Sequence, residues 1–216
     1  MSRAISIDWE GGRVSGRLYG KAGTGFLLAH GAGTDQGHPR IVGLATALSE
    51  RGFNVLTFNY PYTEAGRSRP DSTERLLACH QAAVGRLASL SGDVPILGGR
   101  SMGGRMGSYL AAGGIACAAV VLYAYPLHPA GRPEALRVDH LRDISVPILA
   151  FQGDRDALSR MDLFNTHLRP LATTVLMEGA RHDLKLPGMS PAATDDWMAD
   201  RTAAWVTHGW KLEAGG

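Results

Sequence analysis

The chain has 216 residues, of which 44% are hydrophobic and 19% charged, with a formal net charge of +2. This length supports one domain, spanning residues 1–216, with a substantial core, and the composition is that of an ordinary globular protein. Acidic and basic residues are interspersed with no basic block, which argues against nucleic-acid binding, and the longest apolar stretch, 113–127, is too short and too rich in Gly and Ala to span a membrane.

An alternation of strands and helices runs along the chain. Residues 4–9 and 13–19 flank Glu10-Gly11-Gly12 and predict two antiparallel strands joined by a turn. Residues 25–29 form a buried run that stops at His30-Gly31-Ala32-Gly33. A helix over 39–51 carries Ile41, Leu44, Ala45 and Leu48 on one face, with Gly52 beyond its end. Residues 53–58 read as a strand and 61–70 as a polar loop. Asp71-Ser72-Thr73-Glu74 reads as an N-cap box for a helix that turns Leu76, Ala83, Leu87 and Leu90 inward. Strand 94–97 then leads into a helix over 105–112. Two continuous apolar strands follow at 116–123 and 146–151, then a helix over 157–169 and a last strand over 173–177. Ser190-Pro191 opens a final helix to about Trp210, and only 213–216 reads as a frayed tail. Continuous apolar strands separated by helices imply a parallel sheet covered on both faces.

The segment Gly99-Arg100-Ser101-Met102-Gly103 is a G-x-S-x-G pentapeptide between an apolar strand and a helix. That context is what a nucleophile elbow requires: a turn so tight that residues two positions either side of the serine must be glycine. A serine hydroxyl needs a base to take its proton and a third group to orient that base. Asp156 follows strand 146–151, and His182 follows strand 173–177, in the order Ser…Asp…His. Asp156 is favoured over Asp154 because it falls later on the loop; Asp154 stays the alternative, and Asp183 reads as an exposed neighbour of the base. An oxyanion hole needs two backbone N–H donors. Met102, after the serine, and Ala32, in the loop after the third strand, are the candidates, although His30-Gly31-Ala32-Gly33 can also be a plain glycine turn.

This order and these motifs resemble the α/β-hydrolase superfamily, near its dienelactone-hydrolase-like branch. The stretches His30–Gly33, Gly98–Arg105 and Tyr125–Arg137 resemble a small bacterial hydrolase-like family. That family is related to a testis-expressed animal protein and to a subunit of a chromatin acetyltransferase complex. The resemblance implies an α/β-hydrolase fold: an eight-stranded, mostly parallel sheet flanked by helices, with no large cap domain. It names no substrate.

Between Ser101 and Asp156 there is room for only one extra segment, 124–143, expected to lie over the site. Tyr125, Leu127, His128 and Arg137 on it, with Tyr60 and Tyr62 opposite, are the candidate substrate contacts. Arg105 lies one helical turn beyond Ser101 and can pair with Asp139 or receive an anionic substrate. The expected protein is a serine hydrolase of small esters, thioesters or lactones. It needs no cofactor and no metal, since no metal-type Cys/His spacing exists. Its partner is a small-molecule ester; no nucleic acid and no membrane are expected. With no apolar signal-peptide core and Cys79 and Cys117 in buried elements, a cytoplasmic location is expected. The alternatives are a non-catalytic interaction module on the same fold, or a peptidase or acyltransferase using the same triad.

Overall fold

The computed structural model describes residues 2–210, so the tail at 213–216 lies outside the described residues. Eight strands form one sheet: β1 Ser2–Trp9, β2 Gly12–Tyr19, β3 Gly25–Ala29, β4 Asn54–Phe58, β5 Ile96–Arg100, β6 Ala119–Tyr123, β7 Ile148–Gly153 and β8 Thr173–Met177. Six helices connect or flank them: α1 Pro39–Glu50, α2 Pro61–Glu64, α3 Thr73–Ser91, α4 Met102–Ala112, α5 Met161–His167 and α6 Pro191–Thr207. The strand order is β1-β2-β4-β3-β5-β6-β7-β8, with β2 antiparallel to both its neighbours and every other pair parallel. This is the eight-stranded, mostly parallel α/β-hydrolase sheet that the sequence implies, with no large cap domain among the described residues.

The alternation of side chains along each strand builds two cores. Leu27, Leu56, Leu97 and Leu122 face α3 and α4, while Phe26, Leu28, Val55, Ile96 and Val121 face α1 and α6. From β3 to β7 both faces are dry, which is why these strands read as unbroken apolar runs, whereas β1, β2 and β8 are partly exposed.

Several boundaries differ from the sequence reading, each for a local reason. Strand β5 starts at Ile96, leaving Val94 exposed, and runs on to Arg100, which pairs with Tyr123. Strand β6 begins only at Ala119, after a turn closed by hydrogen bonds from Gly114 and Ile115 back onto α4. The polar loop after β4 contains the short helix α2, which has proline in its first turn. The cap of α3 is Ser72, whose Oγ accepts from Arg75 N; Asp71 is engaged by Arg67 and Arg75 instead. Helix α5 starts late because Asp156 Oδ1 accepts the Leu158 N–H, a local turn that competes with helix.

The largest correction concerns 124–143. It does not cover the site. Tyr125, Leu127, Val138 and Leu141 are buried against Met106, Phe164 and Leu168 on the α3–α4 side of the sheet. Burying that much apolar surface outweighs leaving it as a lid exposed to water.

Candidate active site

Ser101 sits between β5 and α4 at φ 50°, ψ −114°. This is left-handed backbone that side chains rarely adopt, and such strain persists only where the surroundings enforce it. The flanking glycines make the turn sterically possible. A Cβ at Gly99 would run into the Gly103–Gly104 peptide, and one at Gly103 into the Ala29 carbonyl.

Ser101 Oγ lies 2.9 Å from His182 Nε2, and His182 Nδ1 lies 2.8 Å from Asp156 Oδ2. A carboxylate only accepts, so Nδ1 carries the proton and Nε2 offers a lone pair to the serine hydroxyl. Asp156 is 4% exposed, and its carboxylate also accepts from Gln152 Nε2 and Leu158 N, each at 2.8 Å. A buried charge is tolerated when hydrogen-bonded in this way. Asp154 does different work: its Oδ1 accepts from Gly179 N at 2.7 Å and pins the turn before His182. Gln152 was not singled out from the sequence, because a glutamine inside an apolar strand carries no motif.

The two candidate oxyanion donors flank the serine. Met102 opens α4, so its N–H has no acceptor within the helix. The loop after β3 is pressed against the elbow, with a Cβ at Gly31 placed 3.5 Å from Ser101 Cβ. The Gly31 carbonyl is pinned twice, by His30 Nδ1–H at 2.8 Å and by Thr34 Oγ1–H at 3.0 Å. A trans peptide points its N–H opposite its C=O, so pinning that carbonyl also fixes the Ala32 N–H. His30 Nε2 in turn accepts from Tyr60 N at 3.3 Å. Burial lowers the His30 pKa to about 4, so the ring stays neutral and can both donate and accept.

These elements enclose a cavity of about 310 Å³ lined by residues including Ala32, Thr34, His38, Ile41, Arg100, Ser101, Tyr123, Ala124, His182 and Asp183. Ala124 is the one residue of 124–143 among them, and it holds φ 56°. The candidate substrate contacts Tyr60, Tyr125, Leu127 and His128 are elsewhere, each at most 2% exposed. The Tyr60 hydroxyl lies 2.8 Å from His80 Nδ1, and the ring stacks on Tyr62, itself fully buried. The Tyr125 hydroxyl donates to Arg137 O at 2.7 Å, and His128 Nδ1 donates to Pro129 O at 2.9 Å. Arg137 caps this core through its backbone, with its amide on Leu127 O. The Tyr60 and Tyr125 hydroxyls are satisfied internally, so these two rings serve packing, while His128 keeps one buried ring nitrogen, Nε2, without a partner among the described residues. Arg105 makes no ion pair with Asp139 among the described residues; it lies near His140, whose pKa burial and the Arg105 charge lower to about 4. No three His, Cys, Asp or Glu side chains are grouped to hold a metal among the described residues.

A family model for an alpha/beta hydrolase domain matches residues 22–208. The fold is similar to that of a protein of unknown function from Agrobacterium tumefaciens, with TM-score 0.80 and 18% identity over 98% of this chain and 100% of that one. It is also similar to a dienelactone hydrolase from Anabaena variabilis, with TM-score 0.75 and 22% identity over 96% of this chain and 97% of that one. A serine hydrolase without lid from Xanthomonas campestris matches with TM-score 0.68 and 19% identity over 100% and 97% of the two chains.

Proposed function

The chain belongs to the alpha/beta hydrolase family, and on that premise we propose that it is a serine hydrolase of small esters, thioesters or lactones. The observation that carries the reading is the unbroken hydrogen-bonded line from Asp156 through His182 to Ser101. His182 Nε2 takes the hydroxyl proton as Ser101 Oγ attacks the substrate carbonyl carbon. The carbonyl electron pair moves onto oxygen, where the Met102 and Ala32 N–H groups receive it. The intermediate collapses, the alcohol or thiol leaves with the proton from His182, and an acyl-serine remains. Water then attacks that ester, giving its proton to His182, and the acid departs as Ser101 recovers its own. Asp156 holds the ring orientation and stabilises the imidazolium throughout.

The cavity's volume lies at the low end for small-molecule sites, which supports a small substrate. The fold neighbours described as dienelactone hydrolase and lidless serine hydrolase support the same chemistry. No described helix is long and apolar enough to cross a membrane. Two free, buried thiols, Cys79 and Cys117, support a reducing, cytoplasmic setting. The direct test is labelling with a fluorophosphonate probe alongside hydrolysis of short p-nitrophenyl esters. The native protein is expected to be labelled at Ser101 and to turn over; a serine that stays inert to the probe, with no ester cleaved, overturns the proposal.

A further inference from the structure

The cavity wall beside Ser101 includes a guanidinium and an imidazole. Arg100 immediately precedes the serine and lines the cavity. Its Nη2 donates to the Asp183 carbonyl at 2.9 Å, while Nη1 is sealed from water and meets no acceptor among the described residues. No carboxylate is within ion-pair distance of it among the described residues. The nearby acid, Asp195, lies 3.1 Å from Arg40 Nη1, so one carboxylate serves two arginines. Burial lowers the Arg100 pKa to about 10, which still leaves it charged at neutral pH.

A second donor faces the same space. His38 lines the cavity, and its Nδ1 accepts the Arg40 N–H at 3.2 Å as the cap of α1. An Nδ1 that accepts carries no proton, so the neutral ring presents Nε2–H. The Asp183 carboxylate is also at the rim, but it is exposed, and its Oδ1 accepts from Lys185 N. A cation withdrawn from water that only shares a counter-charge is costly, and a guanidinium matches the two oxygens of a carboxylate.

We propose that Arg100, with His38, receives a carboxylate carried by the substrate, so that the preferred esters are those of small dicarboxylic or hydroxy acids. This rests on the serine-hydrolase reading, which says what the cavity holds.

The test compares matched esters. p-Nitrophenyl hydrogen succinate and p-nitrophenyl butyrate differ by a terminal carboxylate on the acyl side. Acetoxyacetic acid and ethyl acetate differ by a carboxylate on the alcohol side, followed by pH-stat. We expect at least one anionic ester to exceed its neutral counterpart tenfold or more in kcat/KM, mainly through KM. The pair that shows it tells which side carries the charge. In Arg100→Gln the ratio should fall close to one, and in Arg100→Lys it should be intermediate, since lysine keeps the charge without the fork. The ratio within one protein cancels any disturbance of His182 through the lost Asp183 contact. Butyrate hydrolysis with no anionic preference, or a preference unchanged in Arg100→Gln, overturns the inference and leaves the serine-hydrolase reading standing. Should no ester turn over, binding to Ser101→Ala protein decides. Monomethyl succinate or acetoxyacetic acid should bind where methyl butyrate does not, and adding Arg100→Gln should abolish it. Binding of neither acid overturns the inference.

Discussion

Ser101, His182 and Asp156 form a line in which each side chain has a distinct job, and single substitutions separate those jobs. Ser101→Ala should cost about 10⁴-fold or more in kcat, as removal of a triad member does, while circular dichroism and Tm stay near native. Asp156→Asn should preserve shape but favour the wrong histidine tautomer, with a loss of about 10⁴-fold in kcat. Asp154→Asn should act on the Gly179 turn alone, costing on the order of 1 kcal/mol in stability and little in turnover. If Asp154→Asn proved the more damaging of the two to catalysis, the assignment of the acid would be wrong. Tyr60→Phe tests the corrected role of a residue that reads as a pocket wall. It removes the hydroxyl paired with His80 and leaves a buried ring nitrogen unsatisfied. The expected outcome is about 1–3 kcal/mol lower stability in urea unfolding with KM unchanged; a raised KM would return Tyr60 to the substrate site.

At the scale of elements, the elbow is a contact between β5 and α4 that only bare backbone permits. Gly99→Ala forces a methyl into the Gly103–Gly104 peptide. The strand must shift or the serine must leave its strained conformation. The expected result is a protein that is poorly soluble, or folded with at least tenfold less fluorophosphonate labelling; a native labelling rate at native stability contradicts the close approach. Helix α6 offers a milder case. Its N-cap Ser190 accepts from Ala193 N at 3.1 Å, and its Asp195 reaches Arg40 on α1. Ser190→Ala should lower stability by about 1 kcal/mol as a reduced urea midpoint, with kcat intact because Ser190 does not line the cavity beside Ser101.

Across the whole molecule, burial couples stability to pH. Burial sets the pKa of His30 to about 4 and of His80 to about 3, and that of the less buried His140 to about 4, against 6.5 in the unfolded chain. Folding therefore favours the neutral rings. Their contribution is complete above pH 6.5 and is lost as pH falls toward 4, because only the unfolded chain takes up protons there. Asp195 acts in the opposite sense: burial raises its pKa to about 6, so between pH 6 and 3.8 the folded state gains the proton. Three histidines outweigh one acid, so the urea midpoint should decline from pH 7 to 4.5; a flat or rising midpoint would show that these rings are charged in the fold. The same whole-molecule view predicts substrate size. With the apolar side chains of 124–143 buried in the α3–α4 core and no cap domain among the described residues, little apolar wall extends beyond the cavity of about 310 Å³. A buried methylene gains about 0.8 kcal/mol only where a wall excludes water. Among neutral p-nitrophenyl esters, kcat/KM should peak at short chains, and an optimum at octanoate or longer would mean that a groove opens in solution.

The strand–helix alternation, the parallel sheet and the order of serine, acid and histidine were legible in the sequence because each leaves a local signature. Strands buried on both faces are unbroken apolar runs, and an elbow demands glycines two residues either side of its serine. What the sequence could not decide was which way remote segments turn. Tyr125 and Leu127 have the same apolar surface whether they roof a cavity or underpin a helix, and only the space between α4 and α5 put them in the core. The partners of Tyr60, the Gln152 bond to Asp156, the His30 grip on the Gly31 carbonyl and the Arg100 bond to the Asp183 carbonyl all join residues whose meeting no spacing encodes. Periodicity reports which side of an element is dry; only the folded chain decides which polar groups share that dry space and must satisfy one another.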